Sequence, residues 1–262
     1  LGDVYKRQGW INASDLSTTD NRIEAVQKVL NEKYNNQEHI SVYVKQLDTD
    51  RVAAINDEKS MYAASVAKLG VLYYAQERLS QKKLSLSNEY QYTSTVNGFP
   101  GAYDPDGSGK ISKIPDDKNY SLENLLKAVA QNSDNVATNI LGYYVANQYD
   151  NSFQKSVDKA SATSWNMDKK ELTARAAGTL MEAIYRQNGD IINYLSSTDY
   201  DGERISKNID VPVAHKIGDA YDFKHDVAIV YTDSPFILSI FTDKEGYDKI
   251  TSIADDVYGI LK

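Results

Sequence analysis

The chain has 262 residues, 41% of them hydrophobic and 25% charged, with a formal net charge of −8. This length allows one large domain or two subdomains that share a core, and the composition is typical of a globular protein. The negative charge and the lack of a dense Lys/Arg run argue against a nucleic-acid partner. The chain has no cysteine, which excludes disulfides and thiolate metal sites. No apolar run approaches the roughly 18–20 residues of a membrane span, so we predict no transmembrane segment.

Residues 1–20 are predicted to form a tail, and residues 21–262 the folded domain. The opening LGDVYKRQ has neither the apolar core nor the cleavage site of a signal peptide, and it looks foreign to the fold. Residues 9–17, GWINASDLS, resemble the closing strand of a GW-type wall-binding module. A plain N-terminal tail is the equal alternative for this stretch.

Hydrophobic periodicity and turn residues predict the elements of the domain. A first helix begins at Asp20 or Thr19, and two strands follow, joined by a turn at residues 48–50. In chain order, the remaining predicted elements are a buried helix at 62–79, a loop-rich stretch at 81–120, helices on both sides of a break at 132–135, a helix that stops at Gly189, three strands within 212–243, and a last helix from near Tyr247.

The strands therefore lie at both ends of the domain and the helices in the middle. Adjacent C-terminal strands with short connections indicate an antiparallel sheet. Neither set of strands alone makes a stable core, so we expect both to form one sheet. The predicted fold class is α/β, of the α+β kind. It has an antiparallel sheet of N- and C-terminal strands flanked by helices, plus a helical subdomain over roughly residues 70–205.

Ser65 and Lys68 lie in the most apolar part of the chain, within YAASVAKLGVLYY. Residues three apart share one face of a helix. Because an unpaired ammonium among apolar neighbours is costly, burial should lower the pKa of Lys68. An amine with a lowered pKa can accept the proton of a nearby hydroxyl. The alternative is a capping serine beside a surface lysine.

Two further motifs follow along the chain. Residues 133–135, Ser-Asp-Asn, interrupt a helical pattern with residue types that favour caps and turns, and a simple helix cap is the alternative. Residues 216–218, Lys-Ile-Gly, lie on a predicted strand ahead of a hairpin. Glycine inside a strand often marks the close approach of a ligand or of another backbone segment.

These motifs occur in the order of the Ser-x-x-Lys, Ser-Asp-Asn and Lys-Thr-Gly motifs of class A β-lactamases and penicillin-binding proteins. From residue 21 to its end, the chain resembles the class A β-lactamase-like branch of the penicillin-recognising serine hydrolases. Residues 121–141 look like the central helices of that family, and GSGKI at 107–111 resembles a Gly-x-Gly stretch in it.

The resemblance implies a role for each matching residue. Ser65 would be the nucleophile that forms an acyl-enzyme, and Lys68 would take or relay its proton. Ser133 would pass a proton to the leaving nitrogen of the substrate. These three residues are the predicted catalytic residues.

The same resemblance implies the substrate-binding residues. Asn135 would bond the acyl side-chain amide, and Lys216 would attract the substrate carboxylate and tune the serine of the second motif. Gly218 would lie against the substrate, and the backbone N–H of Asp219 would form an oxyanion hole with that of Ser65.

The chain departs from the family at two places. Ile217 stands where the family has a hydroxyl residue, and Asp219 adds a negative charge where a carboxylate should bind. The segment before Thr173 is short and lacks the glutamate and asparagine that serve deacylation in class A enzymes. Its only glutamate, Glu171, is read as a first-turn charge on the next helix rather than as a deacylating base.

Two other signals are set aside. No Gly-x-Ser-x-Gly elbow accompanies His39, His215 or His225, so a Ser-His-Asp hydrolase is not indicated, and His215 is expected to be structural. The stretch from Asp104 resembles half of an EF-hand loop, but Pro115 stands at its twelfth position, where calcium needs a glutamate.

The resemblance predicts a serine hydrolase that forms acyl-enzymes with β-lactams or D-alanyl-D-alanine peptidoglycan peptides, releases β-lactams slowly and needs no cofactor or metal. It also implies an extracytoplasmic protein, secreted or associated with the cell wall or membrane. One alternative is a class A β-lactamase with a different deacylating base. Another is a catalytically silent module that binds the wall or a partner.

Overall fold

The computed structural model describes residues 20–262, so residues 1–19 of the predicted tail, with the GWINASDLS stretch, lie outside the described residues. None of the described helices is long and apolar enough to cross a membrane. The strands are β1 Ile40–Gln46, β2 Val52–Ile55, β3 Met61–Tyr62, β4 Glu89–Gln91, β5 Asn119–Ser121, β6 Glu171–Leu172, β7 Val213–Ala220, β8 Phe223–Val230 and β9 Phe236–Asp243. The α-helices are α1 Arg22–Tyr34, α2 Leu69–Ser80, α3 Leu122–Asn132, α4 Asn135–Tyr144, α5 Asn151–Ser161, α6 Ala174–Gln187, α7 Asp190–Leu195 and α8 Tyr247–Leu261. Within residues 20–262, three 3-10 helices span Ala64–Lys68, Ser94–Asn97 and Arg204–Asn208.

The main sheet has five strands in the order β2-β1-β9-β8-β7, and every pairing in it is antiparallel. The N-terminal hairpin joins the C-terminal strands through β1 and β9, where Tyr43 is opposite Ser239. The predicted fold class and the union of both strand sets in one sheet are therefore confirmed.

Alternate side chains of the sheet enter two separate cores, as the two-residue period of a strand requires. Val42 and Val44 pack in the core that contains residues of α1 and α8. Tyr43, between them, belongs to the larger core that contains residues of α2 and α6. A shift of one residue in register would exchange these faces, so the apolar pattern of β1 specifies its pairing.

The prediction of one helix over residues 62–79 is wrong at its start. Tyr62 belongs to β3, which pairs with β6, and a 3-10 helix precedes α2. Trp165 stabilises the junction between the 3-10 helix and α2, since its indole Nε1 donates to the Ala67 carbonyl at 3.1 Å. Gly70 leaves the room for that ring, because a Cβ there would lie 2.6 Å from the indole nitrogen.

Candidate active site

Ser65 lies in the 3-10 helix Ala64–Lys68, which packs against β7. Ala64 has a positive φ of 49°, a left-handed conformation that is strained for alanine. Two hydrogen bonds hold it: Tyr103 Oη donates to the Ala64 carbonyl at 3.1 Å, and the Ala63 N–H donates to the Lys170 carbonyl at 2.7 Å. The backbone before the serine is thus held by distant loops.

Lys68 is fully buried. Its Nζ donates to the Ser133 carbonyl and to Asn135 Oδ1, both at 2.6 Å, and lies 3.4 Å from Ser133 Oγ. Burial, followed by the charge of Lys216, lowers the pKa of Lys68 well below its usual value. The second motif therefore surrounds the amine that the sequence predicts as a base.

The Ser-Asp-Asn motif forms the junction between α3 and α4. Ser133 ends α3 in the left-handed region, with φ 54°, and is fully buried. Asp134 caps α4 by accepting from the Ala137 N–H at 2.8 Å. The same carboxylate accepts from the N–H groups of Lys110 and Ile111 at 2.6 and 2.8 Å. One side chain thus joins a helix cap to the neighbouring loop.

That loop is the stretch that resembles half of an EF-hand. Asn135 donates from Nδ2 to the Asp104 carbonyl at 2.7 Å and from its backbone N–H to the Ser108 carbonyl at 2.8 Å. Gly109 has a φ of +125°, and a Cβ there would lie 2.3 Å from the carboxyl carbon of Asp134. Glycine is therefore required where the loop meets the motif.

Strand β7 supplies the third motif. Lys216 is buried, and its Nζ donates to Ser133 Oγ at 2.8 Å and to the Ile217 carbonyl at 3.0 Å. Burial lowers the pKa of Lys216 to about 7. Gly218 lies directly against the backbone before the serine, because a Cβ there would be 2.6 Å from the Ala63 carbonyl oxygen. The glycine in this strand thus marks a close backbone approach.

Three of the predicted site residues line one cavity, and the others lie outside its lining. A cleft of about 210 Å³ is lined by Ser65, Asn135 and Asp219, with Tyr62, Tyr103 and Tyr221 among its walls. Among the described residues, no hydrogen bond joins the Ser65 side chain to Lys68 in this arrangement. Such bonds are often long before substrate binds, so the geometry stays compatible with proton transfer.

The hydrogen-bond partners of the Asp219 side chain were not apparent from the sequence. Its carboxylate accepts from Arg204 at 2.8 Å, from Lys224 at 2.6 Å and from the Tyr247 hydroxyl. Burial alone would raise the pKa of Asp219, but the Lys224 and Tyr247 bonds and the two cations lower it overall. Arg204 is only 1% exposed and stacks 3.8 Å from the centre of the Tyr247 ring. Its only signal in the sequence was a lone arginine in a polar stretch.

Glu171 is not the first-turn charge that we expected. It lies in β6, two residues before the Thr173 cap of α6, and its side chain is exposed. It lines a different cavity from Ser65, beside Phe223 and Asp243. The buried charged residue of this segment is Lys170, whose Nζ lies 4.5 Å from the centre of the Tyr103 ring.

His215 lies in β7, next to the third motif, and its side chain is buried. Its Nδ1 lies 3.1 Å from both carboxylate oxygens of Asp226, and its Nε2 lies 3.1 Å from Asp201 and 3.0 Å from the Thr198 hydroxyl. Burial would lower its pKa, but the Asp226 charge and the Asp201 hydrogen bond outweigh burial and raise it to about 9. These contacts support the structural role expected for this histidine.

The antiparallel sheet, the helical layers and the two buried amines around the Ser133 hydroxyl are those of a serine hydrolase. A sequence model of the Beta-lactamase enzyme family matches residues 21–261, so the chain belongs to that family. A search of curated protein sequences finds no match.

Similar solved structures agree on the fold. PBP-A is 16% identical with a TM-score of 0.73, and the match covers 93% of this chain and 96% of that one. The TLA-1 extended-spectrum β-lactamase is 19% identical with a TM-score of 0.71 and coverages of 93% and 99%. A β-lactamase from Sphaerobacter thermophilus is 14% identical with a TM-score of 0.70 and coverages of 92% and 95%.

Proposed function

We propose that this serine hydrolase forms an acyl-enzyme on Ser65 with β-lactams or with D-alanyl-D-alanine peptidoglycan peptides, and that it releases β-lactam acyl groups slowly. The observation that carries the proposal is the buried network beside Ser65. In it, Lys68 and Lys216 both approach the hydroxyl of Ser133, at 3.4 and 2.8 Å. Such a network can move a proton from a nucleophile to a leaving group.

In acylation, Ser65 Oγ would attack the substrate carbonyl and lose its proton to the Lys68 amine. The developing oxyanion would be bound by the backbone N–H groups of Ser65 and Asp219, which line the same cleft. Ser133 Oγ would give its proton to the leaving nitrogen and recover one from Lys68 or Lys216. The lowered pKa of Lys68 favours its role as a base, and the pKa of Lys216, about 7, favours proton exchange near neutral pH.

Slow deacylation is supported by the carboxylates around the cleft. Glu171 lines another cavity. Asp104 and Asp219 line the cleft. The Asp104 carboxylate accepts from the Asp106 N–H, and the Asp219 carboxylate accepts from Arg204 and Lys224. The hydrogen bonds and cations around Asp219 lower its pKa, which makes this carboxylate a weak base for activating water.

The test is intact-mass spectrometry over time after a penicillin is added in slight excess. A mutant of PBP-A is described as an acyl-enzyme complex with penicillin-G, which supports this choice of probe. The parent should carry one long-lived penicilloyl adduct, and Ser65→Ala should carry none. Ser94→Ala is the matched control, because Ser94 also lies in a 3-10 helix but is exposed and does not line the Ser65 cleft.

Labelling of Ser65→Ala would remove Ser65 from the nucleophile role. A short-lived adduct with rapid penicillin hydrolysis would support the alternative, a β-lactamase with a different base. If the parent shows neither an adduct nor penicillin hydrolysis, the result would favour a silent binding module. An extracytoplasmic location, in the periplasm or at the wall, is part of the proposal, because peptidoglycan peptides are found there.

A further inference from the structure

A second cavity adjoins the Ser65 cleft. Its volume is about 720 Å³, and it shares Ser108 and Asp219 with the smaller cleft, so the two are joined along these residues. Lys216, next to the lining residue Ile217 in β7, donates to the Ser133 hydroxyl. The cavity is therefore placed to hold the part of a substrate that leaves during acylation.

The charges of this cavity are already matched within the protein. Within residues 20–262, Arg204 is the only cation among the lining residues, and its two terminal nitrogens bond Glu203 and Asp219. Lys224, which lies outside the lining, also bonds Asp219, at 2.6 Å. The carboxylate of Asp219 is thus already bonded to Arg204 and Lys224, two cations that an incoming carboxylate could otherwise bind.

The remaining features of the cavity favour an N–H donor. The carboxylates of Asp219, Glu203 and Asp199 line it, the last paired with Lys110 at 2.6 Å, and the apolar Ile217 forms part of its wall. Each carboxylate oxygen has more than one lone pair and can accept from a further donor. A substrate carboxylate would instead meet like charge, which is unfavourable at close range.

From these contacts we infer that the enzyme prefers acyl donors whose leaving group carries a carboxamide or ammonium group in this cavity, rather than a free carboxylate. Asp219 is the specificity-determining residue. The inference rests on the proposed acyl-enzyme function and defines its substrate class.

The test uses two thioesters with the same N-acyl-D-alanyl group, one with mercaptoacetate and one with mercaptoacetamide as the leaving group. In both, a bond forms between Ser65 Oγ and the acyl carbon, the C–S bond breaks, and the serine proton ends on the released thiol. Thiol release gives kcat/KM for each ester. The parent should favour the amide ester by at least about tenfold, the effect of one close like charge at partial exposure.

Asp219→Asn should reduce this preference about tenfold or more, chiefly through faster reaction of the carboxylate ester, because Arg204 and Lys224 lose their anionic partner. Asp222→Asn, the same charge change on the exposed turn after β7, is the matched control and should leave the ratio unchanged. The comparison within the parent does not depend on the folding of either variant.

Equal or faster reaction of the carboxylate ester in the parent would overturn the inference. A ratio that Asp219→Asn leaves unchanged would also overturn it. If the parent releases thiol from both esters and Ser65→Ala releases none, the acyl-enzyme function is supported separately from the inference. Absence of such release from both esters would refute that function and the inference with it.

Discussion

Replacing His215 by glutamine should change how the stability of the protein depends on pH. The imidazole lies between Asp226 and Asp201, and its side chain is fully buried. These carboxylates favour the charged imidazolium in the folded state, where its pKa is about 9, against 6.5 for the reference value. Glutamine can still donate a hydrogen bond but carries no charge.

The sign of the effect follows from proton linkage. Because the folded pKa lies above the unfolded one, the stabilisation by His215 is complete below pH 6.5 and is lost as pH rises towards 9. At about 1.4 kcal/mol for each pKa unit, the loss across this window is about 3 kcal/mol. Lys216 acts in the opposite direction, since burial lowers its pKa to about 7 and stability therefore rises as pH rises above 7.

The measurement is the free energy of unfolding in urea at several pH values between 6 and 9. Comparing the parent with His215→Gln cancels the contribution of Lys216, which both proteins share. From pH 6.5 to 9 the parent should lose about 3 kcal/mol more than the variant. His39→Gln is the control, because its ion pair with Glu245 is partly exposed and such pairs contribute little. Parallel pH curves for the parent and His215→Gln would refute the charged imidazolium.

Two further predictions concern the loops around the serine. Lys170→Met should move the pH midpoint of Ser65 acylation upwards. The Nζ atoms of Lys170 and Lys68 each lie 4.5 Å from the centre of the Tyr103 ring, and the charge of Lys170 lowers the pKa of Lys68. Stopped-flow acylation between pH 5 and 10 measures this midpoint, and an unchanged value would contradict the coupling. Gly109→Ala should cost about 2 kcal/mol in urea unfolding, since a Cβ at φ +125° meets Asp134, and should slow acylation. Gly202→Ala, with open space around its Cβ, should do neither; equal losses in both variants would contradict the argument.

The parts of the fold that local patterns specify were predictable from sequence. The alternation in β1 and β9 is visible in the chain because each strand presents one face to each core. The break at residues 132–135 was also predictable, because serine, aspartate and asparagine favour caps over helix interiors. The structure uses Asp134 in this way, as the cap of α4.

Features that depend on distant partners were not predictable. Tyr62 pairs with Glu171, more than a hundred residues later, and nothing near Tyr62 indicates a strand. Asp219 reads as an unmatched charge because Arg204 and Tyr247 belong to other elements. Local periodicity contains no information about such contacts, so the charge balance of the site appears only in three dimensions.

The position of β1 has a consequence for the time course of synthesis. The N-terminal hairpin is complete early, but β1 finds its second neighbour only in β9, near the end of the described chain. Until Phe236–Asp243 emerges from the ribosome, one edge of β1 stays unpaired and open to other chains. Contacts between such distant residues also form slowly. Within the described chain, Ser65 therefore precedes β9, and the sheet that supports its cleft closes only when β9 pairs with β1.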